Sequence, residues 1–358
     1  VTYTEWRDDE LFVPKLAAQP ATDHTFSVYE ADAHLAAVTE MASANPEQHD
    51  ALAAAAGRIL TTTDESLVYA YRGTSPAGLA FGFFDPPAGN HTAPVYTLPN
   101  LAARATGSTD FFDIAAGDIN GLRAPDGEYR EEVAVAYAGP SGDNKLPVQL
   151  AVLDFTDASP AAPQPTGLLT ITAAAKLDAA DLSATVGKIR PTDNLLAIAT
   201  GDFDGNYLDE IAVAFLTGTH TAVVETYRYT TTVDAQHNVI PMLSFAISTT
   251  VNISTGYHNG SIALVAGDFD GNHRDELALA TSSYWRDIDG VRLGDQRVYV
   301  AMMRFACNDG HFCTTSPAMT MTLANNTQVF YEGGIDTPVR VQLGAGLFKY
   351  DPANGWDI

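Results

Sequence analysis

The sequence predicts an all-β chain built from repeated four-stranded units, and three observations carry that prediction. An acidic, glycine-pinned stretch recurs along the chain, the segments around it keep one order, and the strands after it alternate large with small residues. "GDFDGNYLDEIAVAF" runs from Gly201 to Phe215, and "GDFDGNHRDELALAT" repeats it from Gly267 to Thr281. A third copy is "FDIAAGDING", Phe112 to Gly121, completed after an insertion by "EEVAVAYAG" from Glu131. A fourth, worn copy is Val341 to Ile358, where Leu347 replaces the first Asp.

Each unit reads in the same way. An apolar run leads into the acidic loop, a second apolar run follows, and two more segments rich in Val, Thr, Tyr and Phe complete it. In the clearest unit these are "LLAIATGD", "EIAVAFL", "TAVVETYRY" and "MLSFAIS"; the next has "IALVAGD", "ELALATS", "RVYVAMMRF" and "AMTMTL". Turn-forming clusters separate them. Four short strands in fixed order are the one-dimensional signature of a propeller blade. "IAVAF", "VAVAY" and "LALAT" show no polar residue at every second place, so both faces of these strands are expected to be dry, with Ala letting sheets approach closely. A doubly wound α/β fold would need a helix between successive strands, and none is legible after residue 60.

An earlier unit is expected at "SLVYAYRG", "GLAFGFF" and "PVYTLPNL", with a metal-free loop. Residues 1–60 are expected to form a separate, partly helical segment, because "YEADAHLAAVTEMASA" and "NPEQHDALAAAAGRI" have helical composition, with Asn45 as N-cap and Pro46 at the first helical position. Blades are then expected over 61–358. The chain stops at "GWDI", at the threshold of a second strand, which suggests a longer protein or closure of the last blade by residues 1–30.

The acidic loops carry the chemistry. Counting from the first Asp, one loop offers Asp202, Asp204, Asn206, the Leu208 carbonyl and Glu210 at alternating positions. Its twin offers Asp268, Asp270, Asn272, the Arg274 carbonyl and Glu276. Alternating oxygen donors, a glycine that lets the backbone wrap, and a final carboxylate able to bind through both oxygens form the logic of a Ca²⁺ loop. A polar turn needs two or three Asp, Asn or Gly residues, not the same oxygen set twice at matched spacing. In the first copy Asp118, Asn120 and Glu132 fit, but the loop is six residues longer (132 − 118 against 210 − 202), and Asp126 in the insertion is expected to supply the missing oxygen of a third site. The worn copy keeps Asp351, Asn354 and Asp357 but is expected to be empty.

The motif "GDFDGNxxDEIAVA" resembles the FG-GAP, or VCBS-type, repeat of integrin α-subunit propellers and of many secreted microbial proteins. The resemblance covers roughly residues 110–358 and implies a propeller, usually of seven blades, with Ca²⁺ between the first two strands of certain blades. Its ligands fall on Asp202, Asp204, Asn206 and Glu210 and on Asp268, Asp270, Asn272 and Glu276, with Glu in the final place where the family usually has Asp.

Composition narrows the partners. Asp and Glu number 44 against 19 Lys and Arg, a formal charge of −25, so nucleic acid and anionic membrane surfaces are disfavoured. No apolar stretch reaches the roughly 18 residues of a membrane helix. The only cysteines, Cys307 and Cys313 in "CNDGHFC", are close enough to close a disulfide, which points to an oxidising, secreted or cell-surface setting. Four Asn-X-Ser/Thr triplets, at Asn90, Asn252, Asn259 and Asn325, are expected in loops. Motifs such as HExxH, GxSxG, SxxK and the phosphate-binding GxxxxGK[ST] do not occur. The expected function is a non-catalytic, calcium-binding module for a protein or glycan partner; the alternative is the scaffold or accessory domain of a secreted polysaccharide lyase or hydrolase.

Overall fold

A computed structural model describes residues 10–16, 24–31, 38–44, 52–60, 66–74, 77–85, 89–98, 111–123, 127, 129–138, 145–155, 165–178, 195–218, 221–234, 236–252, 258–286, 292–307, 319–332, 343, 350–351 and 355–356. Every regular element among them is a strand. A three-stranded sheet comes first, made of β1 (Glu10–Leu16), β2 (His24–Ala31) and β3 (Val38–Ala44). Four four-stranded antiparallel sheets follow, each a simple up-and-down meander. The first contains β4 (Leu52–Gly57), β5 (Ser66–Thr74), β6 (Ala77–Asp85) and β7 (Gly89–Leu98). The second contains β8 (Phe112–Gly117), β9 (Glu132–Ala138), β10 (Lys145–Asp154) and β11 (Gly167–Asp178). The third is β12 (Leu196–Gly201), β13 (Glu210–Gly218), β14 (Thr221–Val233) and β15 (Val239–Asn252). The fourth is β16 (His258–Gly267), β17 (Glu276–Arg286), β18 (Arg292–Cys307) and β19 (Met319–Glu332), and a short hairpin of β20 (Tyr350–Asp351) and β21 (Gly355–Trp356) ends the order.

The repeat is exact in register. Gly57 pairs with Ser66, Gly117 with Glu132, Gly201 with Glu210, and Gly267 with Glu276. Each acidic loop therefore leaves its sheet from a glycine and re-enters opposite it. Neighbouring sheets meet along their first strands, β4 against β8, β8 against β12, and β12 against β16.

The large-and-small alternation is explained by this stacking. On β9, Val133, Val135 and Tyr137 join an apolar cluster with Val68, Phe81 and Phe83 of the preceding sheet. Ala134 and Ala136, pointing to the other face, join Ile198, Ile211 and Val213 of the following sheet. Ile211, Ala212, Val213, Ala214 and Phe215 of β13 are all fully buried. Both faces are dry, as the pattern requires.

Two expectations need correction. The second half of the segment expected to be helical is β4, paired with β5 along its whole length. Its Ala run is read correctly only beside β8, where small side chains permit close sheet contact; helix propensity is a weak prior that such packing overrides. In the other helical candidate, β2 ends at Ala31 and β3 begins at Val38; residues 32–37 and 45–51 lie outside the described residues. The four Asn-X-Ser/Thr triplets start within β7, β15, β16 and β19 rather than in loops. Those hairpins extend past their apolar runs through Thr-rich and Asn-rich pairs held by the backbone ladder.

Candidate metal centres

Two acidic clusters are assembled where the sequence places them. Asp202, Asp204 and Glu210 bring one carboxylate oxygen each within 4.8 Å of one another, and so do Asp268, Asp270 and Glu276. Each set could hold a metal ion.

The loop backbone is wound to make these clusters. Gly205 and Gly271 sit at φ +77° and +78°, a left-handed conformation that glycine adopts without Cβ strain. Tyr207 and His273, two residues on, are also left-handed. The wrap turns successive N–H groups inward. Gly205 and Asn206 donate to Asp202 Oδ1 at 2.7 and 2.9 Å, and Tyr207 donates to Oδ2 at 2.8 Å. Gly271, Asn272 and His273 treat Asp268 in the same way. Phe203 and Asp204 donate to Glu210 Oε2 at 2.9 and 3.3 Å, and Phe269 donates to Glu276 Oε2 at 2.9 Å.

Asn206 and Asn272 take different parts. Asn206 Oδ1 accepts the Leu208 N–H, whereas Asn272 Nδ2 donates to Glu276 Oε1 at 3.4 Å. Leu208 and Arg274 each lie over the glycine of the preceding loop: a Cβ on Gly121 would come 2.7 Å from Leu208 Cδ2, and one on Gly205 would come 2.9 Å from Arg274 Nε.

The electrostatics favour a cation. Burial pushes the Glu210 carboxyl well above its ordinary range, and the Asp204 and Asp202 carboxylates add to the rise. Asp202 and Glu276 are raised, chiefly by burial. The Asp204 cluster is the more enclosed; Asp268 and Asp270 are exposed, while Glu276 is buried.

The third candidate differs from the other two in its contacts. Glu132 Oε2 accepts from Ile119 N at 2.9 Å and Asn120 N at 3.1 Å, and Asp118 Oδ1 accepts from Gly121 N at 2.9 Å, but among the described residues these side chains do not gather as the other two clusters do. Asp126, expected to complete the site, lies outside the described residues. Asp154 at the end of β10 also reaches this loop, accepting from Asn120 Nδ2 at 3.4 Å. Sequence reasoning missed it because its place follows from strand register: Leu153 pairs with Val133, which sets Asp154 opposite Glu132.

A second group was also missed. The residue just before each final carboxylate reaches back to the previous loop. Asp209 N donates to Asp118 O while Asp209 Oδ2 accepts from Asp118 N, both at 2.8 Å. Asp275 grips Asp202 in the same two ways, at 3.0 and 2.9 Å. A Cβ on Gly117 or Gly201 would come 2.4 or 2.7 Å from these carboxylate oxygens, so the glycines are needed for the approach. The acidic loops are thus joined in series from sheet to sheet.

The first sheet shows the same frame without the ligands. Arg58 and Ser66 take the places of Asp202 and Glu210, and Arg58 O accepts from Glu131 N at 3.0 Å. The loop expected to be metal-free lacks both end carboxylates, although 61–65 lie outside the described residues. Cys307 ends β18 with only its backbone described, Cys313, Asn354 and Asp357 lie outside the described residues, and for Asp351 only the backbone is described. No protein-family model matches the chain, and no curated protein matches it either.

Proposed function

We propose that the chain is a calcium-binding β-propeller module of the FG-GAP kind, non-catalytic and secreted, which offers its sheet edges and hairpins to a protein or glycan partner. The observation that carries this reading is the pair of matched carboxylate clusters at identical register positions of adjacent sheets. Calcium is assigned a scaffold role because each cluster sits in a loop that grips its neighbour through Asp209 or Asp275. An ion that stiffens one loop stiffens the series.

The propeller part of the reading is supported by the succession of four-stranded sheets whose first strands lie side by side. The partner-binding idea draws on the β14–β15 hairpin, which leaves Val233, Val239, Ile240, Met242 and Phe245 exposed. Calorimetry of chelator-stripped protein tests the metal part: millimolar Ca²⁺ should raise the melting temperature, and an unchanged one would refute it. Glycan arrays and immobilised extracellular-matrix proteins, each probed in Ca²⁺ and in chelator, test the adhesive part. Absence of calcium-dependent binding on both would overturn it.

A further inference from the structure

We propose that the β14–β15 hairpin is a self-association surface, which meets the same hairpin of a second copy of this chain across a two-fold axis, β15 beside β15. The inference rests on the reading that this hairpin binds a partner, and it is independent of the calcium part of that reading.

The first observation is where the apolar surface lies. Five of the eleven large hydrophobic side chains exposed among the described residues are Val233, Val239, Ile240, Met242 and Phe245, all on this one hairpin. Val233 pairs with Val239, Thr232 with Ile240, and Thr230 with Met242. Successive residues of a strand point to opposite faces, so Val239 shares a face with the buried Leu243, while Ile240 and Met242 take the other. Phe245 follows Leu243 on the first face, its ring edge-on to Tyr227 with centroids 5.9 Å apart. Apolar side chains therefore stand in water on both faces.

The second observation is the edge between those faces. β15 is the terminal strand of its sheet, so among the described strands only β14 pairs with it. A side-by-side contact of two β15 edges covers both faces at once, Val239 and Phe245 meeting their like on one side, Ile240 and Met242 on the other. Pro241 has no N–H to give, and Ala246 is left out of the register between the Thr226–Ile247 and Tyr227–Phe245 pairs. Both features interrupt a backbone ladder. Side chains carry the contact, and the pair closes on itself because each copy uses its one edge.

The third observation is charge, which selects the occupant. Two chains of formal charge −25 repel one another except through a surface that lacks that charge. From Tyr229 to Asn252 the only residue of fixed charge is Asp234. Its carboxylate is occupied within the turn, accepting from Gln236 N, Asn238 N and Asn238 Nδ2, each at 2.8 Å. An antiparallel alignment of the two strands puts the two Asp234 turns at opposite ends. A cationic partner finds no row of carboxylates here, and a glycan is held by hydrogen bonds that Val239, Ile240 and Met242 cannot make. A second hairpin offers the uncharged apolar surface that fits.

The test is sedimentation of the whole chain across the micromolar range, in Ca²⁺ and in chelator. Wild type should pass from monomer to dimer in both. Val239→Lys and Ile240→Lys, on opposite faces, should each weaken the dimer by about tenfold or more. Both side chains stand in water, so the melting temperature of the dilute monomer should not move. Leu323→Lys, at the exposed register counterpart of Phe245 in the fourth sheet, should leave the dimer intact. A wild type monomeric throughout, an open-ended series of larger species, a dimer kept by both hairpin variants, or one weakened equally by Leu323→Lys would overturn the proposal. If a monomeric wild type binds a glycan or matrix protein and Val239→Lys abolishes that binding, the hairpin reading stands without self-association. A dimer broken by the hairpin variants, with no such binding, supports the proposal and removes the outside partner.

Discussion

Glu210→Gln separates the cost of the metal-free cluster from the benefit of the ion. Glu210 is 2% exposed, accepts the Phe203 and Asp204 N–H groups on one oxygen, and faces Asp204 and Asp202. Its carboxyl is raised well above the ordinary range by burial first and those carboxylates next, so the uncharged form suits the metal-free site. A glutamine keeps the acceptor for the two N–H groups and gives Asp204 a donor. Each tenfold change in acidity that the substitution relieves is worth about 1.4 kcal/mol. Without metal at pH 8, the variant should be more stable than wild type by about 1–3 kcal/mol, the usual scale for an unsatisfied buried polar group. With Ca²⁺ at about one hundred times its Kd, each intact site should add about 2.7 kcal/mol, and the variant should lose that share for one site. Urea melts with and without Ca²⁺ read both quantities, and the curves should converge or cross as Ca²⁺ is added. A variant less stable than wild type in chelator, with an undiminished calcium response, would refute the reasoning.

Other outcomes follow from the same contacts. The metal-free protein should lose stability as pH rises from about 5 to 8, because Glu132, raised from 4.5 to about 9, together with Glu210 and Asp209, binds protons in the folded state that the unfolded chain has released. Denaturant melts across that window should show the fall, and saturating Ca²⁺ should flatten it. Asp209→Ala leaves the Asp118 N–H without its 2.8 Å acceptor and should cost about 1–3 kcal/mol in chelator, whereas Asp209→Asn, which keeps an acceptor without the buried charge, should melt at or above wild type. Gly201→Ala drives a Cβ to 2.7 Å from Asp275 Oδ2 and 2.8 Å from Ala266 Cβ, so it should lower thermal stability by about 1–3 kcal/mol and weaken the calcium response of the adjoining loops. Ala214→Leu, at a fully buried position in the contact between sheets, should destabilise by a similar amount in circular dichroism melts, with or without Ca²⁺.

Local spacing made the strands and two of the clusters readable from the chain alone. A loop that leaves a sheet and returns to the paired residue keeps all its donors within ten positions, so Asp202, Asp204 and Glu210 are near one another in sequence for the same reason they are near in space. The dry faces of "IAVAF" were likewise written in its alternation. Partners that arrive from elsewhere were not. Asp154 reaches Glu132 through the register of a third strand, Asp209 reaches Asp118 across a gap between sheets, and the Ala run of β4 becomes a strand because β5 and β8 lie beside it. Sequence by itself determined the repeat, its strands and the loop-borne carboxylates, because those depend on contacts a few residues long. The tertiary structure alone decided which charges face one another between strands and sheets, because register and stacking bring together residues that the chain keeps far apart.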